Sequence, residues 1–213
     1  MLKTQKFFRL IGLLSLVLIA AVACGGQQPY LETFDSPGDW RTGSDNDVEG
    51  EVQDGVFDLL VKADDMLIWT TAGQNFGDGV YEVEATQIDG PVDNGYGMLF
   101  RVDDENDNFY LFEISGDGYV WIGRYLNGGD DEITPIVGDS WFESTAVNTG
   151  LNATNTLRVN AESANLIFYV NDQEVGRVTD DTFSKGDIGL MVRTLGAGGV
   201  HVQFDNFSVN PIK

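Results

Sequence analysis

The chain has 213 residues, with 34 acidic side chains against 12 basic ones and a formal charge of −22 at pH 7. Such a surface repels phosphate backbones and anionic bilayers, which argues against nucleic acid as a partner. High glycine (26) with low proline (5) points to many tight turns, and the length suits one β-rich domain.

Met1 to Arg9 carries three positive charges (Lys3, Lys6 and Arg9) and no acid, and Leu10 to Ala23 is apolar apart from Gly12 and Ser15. That run is shorter than the ~20 residues of a membrane span and has the length of a signal-peptide core. It ends in Ala21-Val22-Ala23-Cys24, which resembles a bacterial lipobox, although Ala21 stands where leucine is usual. Cys24 is the only cysteine, so it forms no internal disulfide. The resemblance implies that residues 1–23 are removed and that the Cys24 thiol is acylated. The chain would then be anchored in the lipid bilayer, outside the cytoplasm, by the several acyl chains that stable anchoring requires. Residues 24–29 are then the lipidated cysteine and a short linker, and 30–213 the domain, held close to the membrane. Without the three basic residues of the leader, nine bases remain against 34 acids, a formal charge of −25.

Tyr30 to Phe34 alternates and predicts a first strand, ended by Asp35-Ser36-Pro37-Gly38, with Trp40 in the loop beyond. Val48–Gln53 and Val56–Val61 flank Asp54-Gly55, a strong hairpin signal. Met66–Thr71, which contains Trp69, is another strand. Val80–Ile88 alternates, with Glu82, Glu84 and Thr86 on one side, the pattern of a solvated strand face.

Gly95 to Leu126 predicts a three-stranded meander, its apolar runs divided by DDENDN and GDG. Setting Val102 against Phe109 puts Arg101 opposite Tyr110, Leu99 opposite Phe112 and Gly97 opposite Ile114. Setting Ile114 against Val120 puts Phe112 opposite Ile122 and Tyr110 opposite Arg124. One face then holds Leu99, Phe112, Ile114, Val120 and Ile122, with Arg101, Tyr110 and Arg124 at one end. The other holds Met98, Phe100, Val102, Phe109, Leu111, Glu113, Trp121 and Tyr125. Both faces are largely apolar, so the second is covered or used. A slip of one residue in either turn would exchange the assignments.

Beyond the meander, Glu132–Val137 suggests a short strand and Trp141–Thr154 is irregular. Thr156–Asn160 pairs with Leu166–Val170, and Glu174–Val178, Gly186–Thr194 and Val200–Val209 complete the set. No segment has a helical apolar period. Twelve or more short strands at this spacing predict an all-β, antiparallel β-sandwich or jelly roll.

Phe100-Arg101, Asn108-Phe109-Tyr110, Gly116-Asp117-Gly118-Tyr119, Phe168-Tyr169-Val170-Asn171, Gly186-Asp187-Ile188-Gly189-Leu190 and Phe204-Asp205-Asn206-Phe207 together resemble the concanavalin A-like lectin/glucanase sandwich. They are also similar to the domain of 3-keto-disaccharide hydrolases and to the small module attached to inulinase-type enzymes. One departure is Asp172, where glycine is usual. The resemblance implies the fold but leaves open lectin, hydrolase or spacer.

A glycosidase of this kind needs two carboxylates flanking the scissile bond, and the Glu-x-Asp-x-x-Glu spacing of the related hydrolases is missing. Glu113, in an apolar setting that raises its pKa, is the one enzyme-like candidate. His201 is the sole histidine and has no nucleophile motif around it. Sugar binding without catalysis asks for flat aromatic faces and a few directed polar groups. Trp121 with Glu113 opposite and Tyr125 two residues on offers one such set, and Arg101, Tyr110 and Arg124 another unless they cap the sandwich structurally. Trp40 and Trp69 are further aromatics.

For a structural calcium, Asp103–Asn108 alternates oxygen ligands but lacks the glycine and distal glutamate of an EF-hand, so an acidic turn is the plainer reading. Asp35 and Asp205 would become neighbours, able to share such an ion, if the first and last strands pair. The expectation is an envelope lipoprotein that binds a glycan or polysaccharide without catalysis. The alternatives are a structural or protein-interaction module, and a glycosidase-like enzyme.

Overall fold

The computed structural model describes residues 3–6, 27–128 and 132–212. Seventeen strands, β1 to β17 in chain order, form two sheets among these residues. The first sheet runs β1 (Lys3–Lys6), β6 (Met66–Thr71), β16 (Asp187–Arg193), β8 (Gly95–Asp103), β9 (Asn108–Ser115), β10 (Tyr119–Tyr125) and β11 (Ile133–Pro135), with β12 (Phe142–Glu143) also on β10. The second runs β15 (Gln173–Thr179), β14 (Asn165–Val170), β13 (Thr154–Glu162), β7 (Gly79–Asp89), β17 (Val200–Pro211), β5 (Val56–Val61), β4 (Val48–Gln53) and β3 (Gly43–Ser44), with β2 (Tyr30–Glu32) also on β17. The first and last strands of the predicted domain therefore do pair. Among the described residues there is no helix.

Composition explains the layering. In β7 only alternate residues are buried, and Tyr81, Val83 and Ala85 point inward while Glu82, Glu84 and Thr86 face out. The second sheet thus has one solvated face, as half-polar antiparallel strands require. In the first sheet β8, β9 and β16 are buried along almost their whole length. The inter-sheet core is aromatic where the sheets meet: Phe168 lies 5.3 Å from Phe112 and 6.2 Å from Phe100, and Tyr81 lies 5.6 Å from Phe100. Trp40 lies in a loop, as expected, but its ring is turned inward. It is buried against Phe34, Phe57 and Phe207 at 5.5–6.0 Å and closes one end of the core.

The second hairpin of the meander has the expected register, with Val120 on Ile114, Ile122 on Phe112 and Arg124 on Tyr110. The first is shifted by one residue: Gly97 pairs with Glu113, Met98 with Phe112 and Phe100 with Tyr110. A bulge between Phe100 and Asp103 absorbs the difference, and Arg101 takes a left-handed φ of 52° there. Bulges of this kind re-aim a side chain at a sheet's end. The correction places Met98 and Phe100 in the inter-sheet core with Tyr110 and Phe112, while Leu99 lies outside with Leu111.

Lys3–Lys6, placed by the sequence in a leader, runs parallel to β6, with Lys3 opposite Met66 and Lys6 opposite Trp69. Cys24 and the rest of the predicted lipobox lie outside the described residues.

Candidate functional site

The six candidate sugar ligands fall on opposite faces of the first sheet. Arg101, Tyr110 and Arg124 belong to the inner side at one end. Arg101 is fully buried and donates to the carbonyls of Ser163 (3.0 Å) and Phe183 (2.9 Å) and to Asp78 (2.9 Å). The Tyr110 hydroxyl donates to Asp180 (2.5 Å) and accepts from the Phe183 N–H (3.2 Å), and burial pushes its pKa up to about 12. Arg124 donates to Asp180 (3.0 Å) and Thr182 (2.6 Å). Burial raises the Asp180 carboxyl, but hydrogen bonds from Thr182 and Tyr110 and the Arg124 charge outweigh it and leave the group below its usual range. These three side chains are directed at the segment between β15 and β16, which they pin to the sandwich as an end-cap.

Glu113, Trp121 and Tyr125 lie on the outer face, where Trp121 and Tyr125 join a second apolar cluster with Leu67, Trp69, Leu99, Val102, Phe109, Leu111 and Met191. At one end Tyr125 stacks on Phe109 at 5.0 Å, and Trp69 lies 5.2 Å from Phe109. At the other end sits a charged pair. Glu113, 0 % exposed, accepts from the guanidinium of Arg193, which lies 4.8 Å above the Trp121 ring and 5.4 Å from Trp141. An arginine within reach of two indoles gains cation–π attraction from each. Burial lifts the Glu113 carboxyl to about 7, against the opposing pull of Arg193. Glu113 Oε2 and Arg193 Nε are both buried without a hydrogen-bond partner.

Glycines make room for this arrangement. A Cβ on Gly123 would stand 2.2 Å from the Trp121 ring and 2.3 Å from the Thr134 carbonyl, and one on Gly95 would stand 2.0 Å from Glu113 Oε2. Trp121 therefore folds flat over Gly123, and the carboxylate lies against Gly95. Beside them a recess of about 140 Å³ opens between Asp93, Ser115, Asp117, Tyr119, Trp141 and Leu195. Tyr119 and Leu195 are 37 % and 39 % exposed, and Trp141 is half-buried, bridging the recess and the buried pair. Ser115 donates to Asp117 (2.5 Å) and accepts from the Tyr119 N–H (3.0 Å), which fixes the turn on one side.

Arg193, Trp141 and Tyr119 were not singled out in the sequence. Alternation along β16 aligns Arg193 with Met191, but only the pairing of β16 with β8 shows that this face adjoins Glu113. Trp141 stands in the stretch the sequence leaves irregular.

The strand β9 carries no other carboxylate, and its register sets Gly97 and Trp121 beside Glu113. The second acid that a glycosidase needs is thus supplied neither by β9 nor by the cross-strand neighbours of Glu113. At the chain ends, Asp35 and Asp205 come within electrostatic reach. Burial, then the charges of Glu84 and Asp35, raise the Asp205 carboxyl. Among the described residues no group of three or more His, Cys, Asp or Glu side chains is arranged to hold a metal ion. In the 103–108 turn, Asp103 accepts from the N–H groups of Glu105 and Asn106 and from the Asn106 side chain, which makes it a self-closed acidic turn.

Three outcomes follow from this packing. Arg101→Ala empties a fully buried site and leaves the Ser163 and Phe183 carbonyls without their donor, and should cost roughly 3 kcal/mol in urea unfolding. Gly123→Ala forces Trp121 off the sheet, with an expected loss of about 1–3 kcal/mol and a shift in tryptophan fluorescence. Glu113 binds its proton more tightly folded than unfolded, so its contribution is present below its ordinary pKa and is lost as pH rises towards about 7. Urea midpoints measured across that window should therefore fall with pH, and Glu113→Gln should flatten the slope.

No protein-family model matches the chain, and no curated protein matches it. Solved structures do. A carbohydrate binding module of Bacillus subtilis, CBM66, superposes with a TM-score of 0.56 at 20 % identity, over 81 % of this chain and 96 % of the other. A β-1,3-1,4-glucanase (lichenase) from a mouse hindgut metagenome gives 0.60 at 16 % identity, over 86 % and 99 %. The β-glucanase of Bacillus licheniformis gives 0.58 at 16 % identity, over 90 % and 100 %. The chain has the concanavalin A-like sandwich fold that these structures share.

Proposed function

We propose that this chain is an exported lipoprotein, anchored through an acylated Cys24, whose sandwich binds a glycan without cleaving it. The observation that carries the binding reading is the position of Trp141. It stands between a solvent-open recess and the buried Arg193–Trp121 stack, with exposed Tyr119 as a second aromatic wall. Aromatic faces pack on the C–H faces of sugar rings, and a few polar groups fix orientation. Asp93 and Asp117 supply acceptors for hydroxyl protons and, with the chain's strong negative charge, favour a neutral sugar over an anionic one. The carbohydrate-binding module and the glucanases among the structural neighbours are consistent with this. The single carboxylate of β9 favours binding over hydrolysis.

A glycan array with soluble protein from Gly26 to Lys213, run in calcium and in EDTA, tests the reading. Binding to neutral oligosaccharides is expected, weakened at least about tenfold by Trp141→Ala or Tyr119→Ala, a stacking loss of ~1.4 kcal/mol. Trp121→Ala should abolish it. Loss in EDTA would add a cation to the site. An array blank under both conditions would leave a structural or protein-interaction module as the better account. For the anchor, Cys24→Ser should move the protein from the membrane fraction to the soluble one, and unchanged membrane retention would contradict it.

A further inference from the structure

The recess beside Trp141 is small for a ligand site. At about 140 Å³ it falls well below the roughly 300–1,000 Å³ of ordinary small-molecule sites. A second recess, of about 240 Å³, adjoins it. Asp117 lines both, and the second is walled by Gly118, Glu143, Thr145, Val147 and Thr149. Together the two reach the ordinary range. Tyr119 of the first and Glu143 of the second are cross-strand partners on β10 and β12, so both side chains leave the same face of the sheet. The exposed Tyr119 ring thus borders the passage between the two.

The second recess has fixed walls. The Gly118 carbonyl accepts from the Ser144 N–H (2.9 Å) and the Gly116 carbonyl from the Gly150 N–H (2.7 Å), which ties the turn before β10 to the 144–150 loop. Behind that loop, buried Asn155 accepts from the Asn148 N–H (2.8 Å) and donates to the Asn148 carbonyl (3.0 Å). Gly118 has a φ of 103°, and a Cβ there would stand 3.1 Å from Thr149 Cγ2, so the glycine lets the two walls close together. Val147 is buried, while Glu143, Thr145 and Thr149 are exposed and their side chains take no part in these bonds. A buried apolar residue beside a few unspent polar groups, in a rigid frame, orients a small ligand at little entropic cost.

We propose that the site takes at least two consecutive units of a neutral glycan chain, one in the recess beside Trp141 and the next between Thr145 and Thr149. This rests on the glycan reading above and adds which glycans it admits, chains over single sugars. The Tyr119 ring lies along the link between the units. The Thr145 and Thr149 hydroxyls and the Glu143 carboxylate bond the hydroxyls of the second unit, and Val147 meets its C–H face. Once the first unit is held, the second is presented at high local concentration, so its contacts raise the affinity with little further loss of freedom.

The test measures dissociation constants by NMR titration on soluble protein of residues 26–213, which keeps every buried member of both apolar clusters. The probes are neutral gluco-, manno-, galacto- and fructo-oligosaccharides of one to four units. In at least one series the two-unit member should bind about tenfold more tightly than the single sugar, or better. Thr149→Trp, which fills the second recess, should erase that gain. The paired Thr145→Val and Thr149→Val changes, which remove both hydroxyls at nearly constant shape, should remove most of it. Trp141→Ala should weaken one-unit and two-unit members alike. Equal binding of one and two units, or a length gain that survives both threonine variants, overturns the second subsite and leaves the glycan reading standing. A protein that binds no member of any series overturns both.

Discussion

Strand β9 is apolar on both faces, and neither face can be left to water without losing the burial that drives the fold. Tyr110, Phe112 and Ile114 meet the second sheet, while Phe109, Leu111 and Glu113 look outward. The inner requirement is met by the second sheet, whose strands alternate and so present one apolar face and one wet one. The outer requirement produces the unusual part of the molecule. There an ion pair between Glu113 and Arg193 is buried among aromatic rings and is tolerated because two indoles flank the cation. Burying such a pair is costly unless its geometry compensates, and the displaced pKa of Glu113 is the residue of that cost.

The same burial sets what Glu113 has around it. A raised carboxyl could serve as a general acid, but a glycosidase needs a second acid facing it, and Glu113 has Gly97 and Trp121 as its cross-strand neighbours. Gly95 and Gly123 are there so that the carboxylate and the indole can lie flat. The local sequence is built to hold one charge pair and one ring in a shallow arrangement, with Trp141 carrying it to the surface.

Much of the fold was legible in the sequence, because short aromatic and β-branched runs between Asp, Asn and Gly turns have few other solutions. The Asp54-Gly55 hairpin and the second meander turn formed as the residues suggested, and the first and last strands, left as a condition, do pair. The first meander turn did not, for a local reason. The bulge at Arg101 adds a residue to one strand only, and no alternation pattern reveals which residue adopts positive φ. The site was legible in fragments. Trp121 and Glu113 could be paired from one hairpin, but Arg193 and Trp141 reach them through contacts distant in sequence. Arg101, Tyr110 and Arg124 do lie at one end, although Arg101 reaches it from the bulge and not from a position opposite Tyr110, and their partners in residues 163–183 show what the group holds.

The claim that the outer face of the first sheet is the ligand face can be tested most directly with the four tryptophans, whose indole N–H resonances report separately on different faces. In a nitrogen–proton correlation spectrum of residues 26–213, titration with a neutral oligosaccharide should shift the Trp121 and Trp141 indoles. Trp40, buried at the far end of the inter-sheet core, should stay unmoved. Shifts confined to Trp40, or a saturating ligand that leaves Trp121 and Trp141 in place, would contradict the account.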